Sequence, residues 1–100
     1  MKYSKLVRDK IPEVIKKNGG APIIHSADNA EYWEKLKEKL QEEMKEFSES
    51  ETIEEMADIL EVFDAIAEYK GFDGDEIRKV REKKAEERGK FKDRIILDAS

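Results

Sequence analysis

The sequence predicts an all-α domain, predominantly a four-helix bundle-like arrangement with short extended segments at its two ends, on three observations. Apolar residues recur at helical spacing through two long segments, residues 30–47 and the stretch that begins near Thr52. Helix punctuation separates the periodic stretches: Asn18-Gly19-Gly20, Gly71 followed by Asp73, and Gly89. Candidates for extended chain are short, at residues 3–7, 21–25 and 91–97.

Each element has a local reason. Pro12 suits the first turn of a helix that runs to about Lys17, where the Asn-Gly-Gly run stops it. Residues 21–25 read as an extended link. Ser26 or Asp28 caps a second helix reaching about Ser48, and residues 50–52 turn into a third that ends near Lys70-Gly71. Asp73 caps a fourth helix, with Glu76 in its first turn and Gly89 at its end. Residues 91–97 alternate enough for a short strand. There is no internal repeat, low-complexity stretch or linker.

Composition sets the outer limits. One hundred residues make a single domain, residues 1–100. With 38% hydrophobic and 45% charged residues the core must be thin, and such a protomer gains by burying further surface in a homo-oligomer. A net charge of −5 and a pI near 5.1 disfavour a nucleic-acid polymer as partner, while free nucleotides carried with Mg²⁺ remain compatible. The absence of cysteine excludes disulfides and thiolate metal sites and suits a reducing compartment. With neither a signal peptide nor an apolar run of membrane-spanning length, a cytoplasmic location without a membrane partner is expected.

The informative residues are acids that share a direction with hydrophobes. At about 100° per residue, Trp33, Leu36, Leu40, Met44 and Phe47 occupy an arc of roughly 80°, with Glu43 at its edge and Glu46 about 60° further round. Glu38 and Glu42 point away. On the third helix Met56, Ile59, Leu60, Val62, Phe63, Ile66, Ala67 and Tyr69 sweep roughly 180°; Glu55 falls inside and Asp58 at the border. Ionised carboxylates in an apolar setting cost several kcal/mol unless a cation compensates them, so a divalent metal holding a phosphorylated ligand is the leading candidate. Plainer roles compete. Thr52-x-x-Glu55 is a capping box in which Glu55 folds back to the Thr52 N–H, and Glu46 can pair with Lys39 or Lys45.

The fourth helix carries cations on its inward stripe, where Ile77 and Val80 give way to Arg81, Lys84 and Arg88 within roughly 100°. Aimed at the same interior as the acids, they can reach phosphate oxygens. Alternatively they snorkel, pair with Glu82 or Glu86 and answer the helix dipole. His25, the only histidine, reads as structural or exposed, and Trp33 and Tyr32 as core rather than base-stacking groups. Asp73-Gly74-Asp75 lacks the remaining ligands of a calcium loop.

Leu40-Gln-Glu-Glu43-Met-Lys-Glu46-Phe47, followed by Glu55-Met-Ala-Asp58-Ile-Leu-Glu-Val, resembles the Glu-Glu-x-x-Glu and Glu-x-x-Asp signature of the MazG-like, all-α nucleotide pyrophosphohydrolases. Lys5-Leu-Val-Arg-Asp-Lys-Ile-Pro12 and Arg88-Gly-Lys-Phe91-x-x-Arg94-Ile look like the small, phosphoribosyl-ATP pyrophosphohydrolase-like branch. The resemblance covers nearly the whole chain. It implies an oligomeric helical enzyme with Mg²⁺, or Mn²⁺, held by Glu43, Glu46, Glu55 and Asp58. The reaction it implies is cleavage between the α and β phosphates of a nucleotide, yielding monophosphate and pyrophosphate. Lys84 and Arg88 match basic positions of the family, and Arg81 is an addition to them. Glu46, the most exposed of the inward acids by phase, is the choice for assisting water. Two rivals stand beside this reading: cleavage of phosphoribosyl-ATP in histidine biosynthesis, and a non-catalytic helical oligomerisation module. The gap between the acidic pairs is shorter than in larger relatives, and Lys90 stands where the branch often has a second glycine.

Overall fold

A computed structural model describes residues 4–100, so Tyr3, where the expected N-terminal extended stretch begins, lies outside the described residues. Four helices follow one another: α1 Ile11–Lys17, α2 Asn29–Ser50, α3 Ile53–Lys70 and α4 Gly74–Arg88. No strand occurs among the described residues, and the chain is all-α. None of these helices is long and apolar enough to cross a membrane.

The caps follow local chemistry. Pro12 stands in the first turn of α1, where its missing N–H costs nothing. After Lys17 the Gly20 N–H donates to the Ile15 carbonyl at 2.9 Å, and a Cβ on Gly20 would lie 2.6 Å from Ile15 Cγ2, which makes glycine the residue that fits. Of the two caps proposed for α2, Asp28 is the one used, accepting from the Glu31 N–H at 2.9 Å. The helix runs to Ser50, two residues past the expected end, and Glu51 turns the chain at φ 52°. Thr52 caps α3 through the Glu55 N–H, and Asp73 caps α4 through the Asp75 N–H. Gly71, at φ 72°, closes α3 in the left-handed region that glycine adopts at little cost.

Only α2 and α3 pack extensively on one another, as an antiparallel hairpin. Its open end is locked by aromatics: Trp33 and Tyr69 stack at 5.4 Å between centroids, Tyr32 meets Tyr69 edge-on, and the Tyr69 hydroxyl donates to the Asn29 carbonyl. Leu36 and Val62 are the buried hydrophobes between the helices. All of α4 is exposed except Ala85, which is half-buried. The molecule extends over 55 × 31 × 24 Å with a radius of gyration of 17.7 Å, against about 13 Å for a compact chain of this size. One chain thus forms a packed pair with flanking helices rather than a closed four-helix bundle.

The short strand expected at residues 91–97 is not formed. The Arg94 N–H bonds back to the Phe91 carbonyl in a turn, and Phe91, Ile95, Ile96 and Leu97 are exposed. Alternation alone makes no strand, because an extended segment needs a neighbour for its backbone N–H and C=O groups, and none is present among the described residues.

Because Leu36 is 1% exposed and sits where the two long helices meet, Leu36→Ala is expected to lower the unfolding free energy by about 2–5 kcal/mol in urea denaturation. Ile23→Ala, at a fully exposed position in the link, should change it by less than about 0.5 kcal/mol.

A candidate metal centre on the helix pair

Beyond the aromatic lock, toward the turn between α2 and α3, the facing surfaces become acidic. Glu43, on α2, is only 5% exposed. It belongs to two groups of carboxylates: Glu42, Glu43 and Glu46 along α2, and Glu43, Glu55 and Asp58 across the helix pair. Within each group every residue can offer one oxygen lying within 4.8 Å of the others. That ceiling compares with about 4.2 Å across an octahedral Mg²⁺ whose ligands lie at about 2.1 Å. Of the four acids singled out in the sequence, Glu43 is common to both groups; Glu46 joins it along α2, and Glu55 and Asp58 join it from α3, but no single group holds all four.

Hydrogen bonding shows which oxygens are satisfied. Lys39 Nζ lies 3.2 Å from Glu43 Oε1 and 3.3 Å from Glu42 Oε2, so one ammonium bridges two adjacent acids. Glu43 Oε2 and Glu55 Oε2 are buried and have no hydrogen-bond partner among the described residues. Leaving a buried carboxylate oxygen unpaired is costly, so these two atoms are where a bound cation would gain most. Glu55 does not complete the capping box. Thr52 Oγ1 accepts from the Glu55 N–H at 3.2 Å, but the Glu55 carboxylate does not return the bond. Its place in the first turn of α3 sets it in the positive end of the helix dipole, which lowers the cost of its charge. Glu46 forms no ion pair with Lys39 or Lys45 among the described residues.

Electrostatics bind Lys39 and Glu42 tightly. Burial pushes the Lys39 ammonium toward deprotonation, but the hydrogen bonds and attraction of Glu43 and Glu42 outweigh it and hold its pKa above 10.5. Burial likewise pushes Glu42 up, and Lys5 and Lys39 more than reverse it, leaving Glu42 below 4.5. Glu42 therefore contributes stability that is complete above pH 4.5 and lost as pH falls through its lowered pKa. The Lys39 contribution is complete below pH 10.5 and is lost as pH rises through its raised pKa.

Two groups that phase alone did not bring to the site are present. Glu42 points away by helical angle, yet its carboxylate joins Glu43 and Glu46, since Lys5 at 3.0 Å and Lys39 draw it inward. The signal for it was its own spacing, three residues from Lys39 and four from Glu46, beside Glu43. Arg8 is the second: its Nη2 donates to Asp58 Oδ1 at 2.9 Å, and Nη1 lies 3.9 Å from Glu61. A bond spanning 50 residues leaves no periodic trace.

The fourth-helix cations are placed elsewhere in the single chain. Arg81 and Lys84 share an open groove with Phe72, Glu76, Ile77 and Val80, so the stripe read from the sequence is a real face. Arg88 is exposed in the last turn. Among the described residues none of the three forms an ion pair with the acid groups, and Arg78, not Arg81, pairs with Glu82. Trp33 is engaged with Tyr69 and has Lys70 Nζ 4.1 Å from its ring centre, in line with a packing role. His25 Nε2 lies 3.0 Å from Glu31 and takes no part in the acid groups.

Comparison with known families finds no match, and no solved structure matches the chain. An uncharacterized protein of Mycolicibacterium smegmatis (strain ATCC 700084 / mc(2)155) is 43% identical over 49 residues, covering 49% of this chain and 50% of the relative. The chain thus spans about half the length of that relative.

Lys39→Met keeps the packed stem and removes the cation, stranding Glu43. In EDTA at neutral pH we expect a loss of about 1–3 kcal/mol in unfolding free energy. Lys39→Met combined with Glu43→Gln should recover most of it, and additive losses would show that the two groups do not depend on one another.

Proposed function

We propose that this chain is a Mg²⁺-dependent nucleotide pyrophosphohydrolase that cleaves between the α and β phosphates of a nucleoside triphosphate or related nucleotide. The observation that carries the reading is the pair of buried, unpartnered oxygens on Glu43 and Glu55, set among Glu42, Glu46 and Asp58. An all-oxygen set of this charge suits a hard dication such as Mg²⁺ or Mn²⁺. The resemblance of the two acidic motifs to the MazG-like enzymes supports the same chemistry.

In this reading Glu43, Glu46, Glu55 and Asp58 hold the metal. When bound, the dication supplies Lewis-acid neutralisation of phosphate charge and a more acidic water. Glu46 accepts the proton of the attacking water. The new bond forms at the α-phosphorus, the bridging P–O bond breaks, and pyrophosphate leaves with that electron pair. Arg81, Lys84 and Arg88 are the candidate ligands of the leaving pyrophosphate. Because one chain leaves Arg81 and Lys84 on a separate groove and Arg88 exposed in the last turn of α4, the reading requires a homo-oligomer in which α4 of another copy approaches the acids. Exposed apolar residues on α3 (Met56, Leu60, Phe63) and α4 (Ile77, Val80) are consistent with such an assembly. A cytoplasmic enzyme acting on free nucleotides completes the proposal.

Titration with Mg²⁺ or Mn²⁺ should raise the melting temperature, and pyrophosphate should be released from a nucleotide panel that includes phosphoribosyl-ATP. Absence of any metal-dependent shift, with or without nucleotide, would identify a helical interaction module instead. Glu55→Gln should reduce metal-dependent turnover at least 100-fold while leaving the metal-free melting temperature equal to or above that of the parent, since it removes an uncompensated charge. Retained turnover in that variant sinks the assignment of Glu55.

A further inference from the structure

The acid site is overlain by a segment that neither the acids nor the α4 cations account for. Residues 4–8 carry no regular structure, yet they place two cations on acids far away in sequence. Lys5 bonds Glu42 across 37 residues, and Arg8 bonds Asp58 across 50. Just after Arg8 the chain turns, with the Ile11 N–H donating to the Arg8 carbonyl at 3.0 Å, so α1 fixes where the segment ends. Asp58 belongs to the group that shares Glu43 and Glu55, so the Arg8 guanidinium lies against the edge of the proposed metal centre.

We propose that Arg8 is a phosphate-binding residue of this site, resting on Asp58 when no ligand is bound and passing to a phosphate oxygen of the nucleotide when a dication takes Asp58. The inference rests on the metal-site reading above. Three features support it. The Arg8 side chain is 55% exposed and that of Asp58 38%, so their bond belongs to the class of exposed pairs worth about 0–1 kcal/mol, and a metal can displace it cheaply. A guanidinium has five N–H donors, and among the described residues Nη2 alone is hydrogen-bonded, with Nη1 in a longer 3.9 Å ion pair to Glu61, which leaves donors for a phosphate without moving the backbone. Bidentate recognition of phosphate is a geometry that arginine offers and lysine does not. Arg8 is also the guanidinium found on the acid groups within one chain, whereas Arg81 and Arg88 lie apart.

The test uses the full chain, Mn²⁺ alone as the first probe, and inorganic pyrophosphate in saturating Mn²⁺ as the second, both by calorimetry. Arg8→Ala should bind Mn²⁺ as tightly as the parent or a few-fold more tightly, because a competitor for Asp58 is gone. Its affinity for pyrophosphate should fall at least tenfold, with Arg8→Lys recovering only part of the loss. A melting temperature close to the parent's is expected, since the pair removed is exposed. Pyrophosphate affinity unchanged within twofold in Arg8→Ala overturns the role of Arg8 and leaves the metal centre standing. Loss of Mn²⁺ binding in Arg8→Ala also overturns it, and makes Arg8 a structural support of Asp58. Failure of the parent chain to bind Mn²⁺ removes both proposals together, whereas Mn²⁺ binding without pyrophosphate binding in the parent removes this one alone.

Discussion

Everything distinctive about this structure depends on the burial of Glu43 between α2 and α3. Among the described residues, a carboxylate there has one oxygen answered by Lys39 and the other by nothing, and Leu36 and Val62 are the only buried hydrophobes. The penalty for an unpaired buried oxygen is comparable to the loss of a well-packed side chain, so the arrangement weakens a fold with little margin. Such a cost, placed where further acids converge from a second helix, is what supports the proposed dication site.

The helix pair separates aromatic packing from clustered charge along its length. At one end Trp33, Tyr32 and Tyr69 supply area and a hydrogen bond to the Asn29 carbonyl. At the other, near the turn capped by Thr52, the acids gather where the first turn of α3 favours negative charge. Separation matters because the aromatic end can hold the helices in register while the acidic end carries mutual repulsion. Lys39 belongs to the acidic end, where its ammonium bridges Glu42 and Glu43.

Much of this was legible from residue order. Helix starts and stops at Asp28, Thr52, Asp73, Gly71 and Gly89 are chemical requirements of helix ends, and the structure uses each of them. Phase placed Glu43 and Glu55 inward correctly, because a rigid helix carries direction over many residues. It misjudged Glu42, whose long side chain bends toward cations that phase does not record. The capping role suggested for Glu55 was half right: its backbone N–H is capped by Thr52, but its carboxylate is turned to the acid group. Residues 91–97 failed as a strand because alternation specifies a face and not a partner.

By itself, then, the sequence determined the helical class, the helix ends and which acids face inward, since all of these follow from rules reaching three or four residues. Tertiary structure decided that α2 and α3 pair while α4 stands open, that Lys39 satisfies one oxygen of Glu43 and leaves the other bare, and that Arg8 crosses to Asp58. Contacts between residues 37 or 50 positions apart depend on where the chain folds back, and no local periodicity encodes that distance.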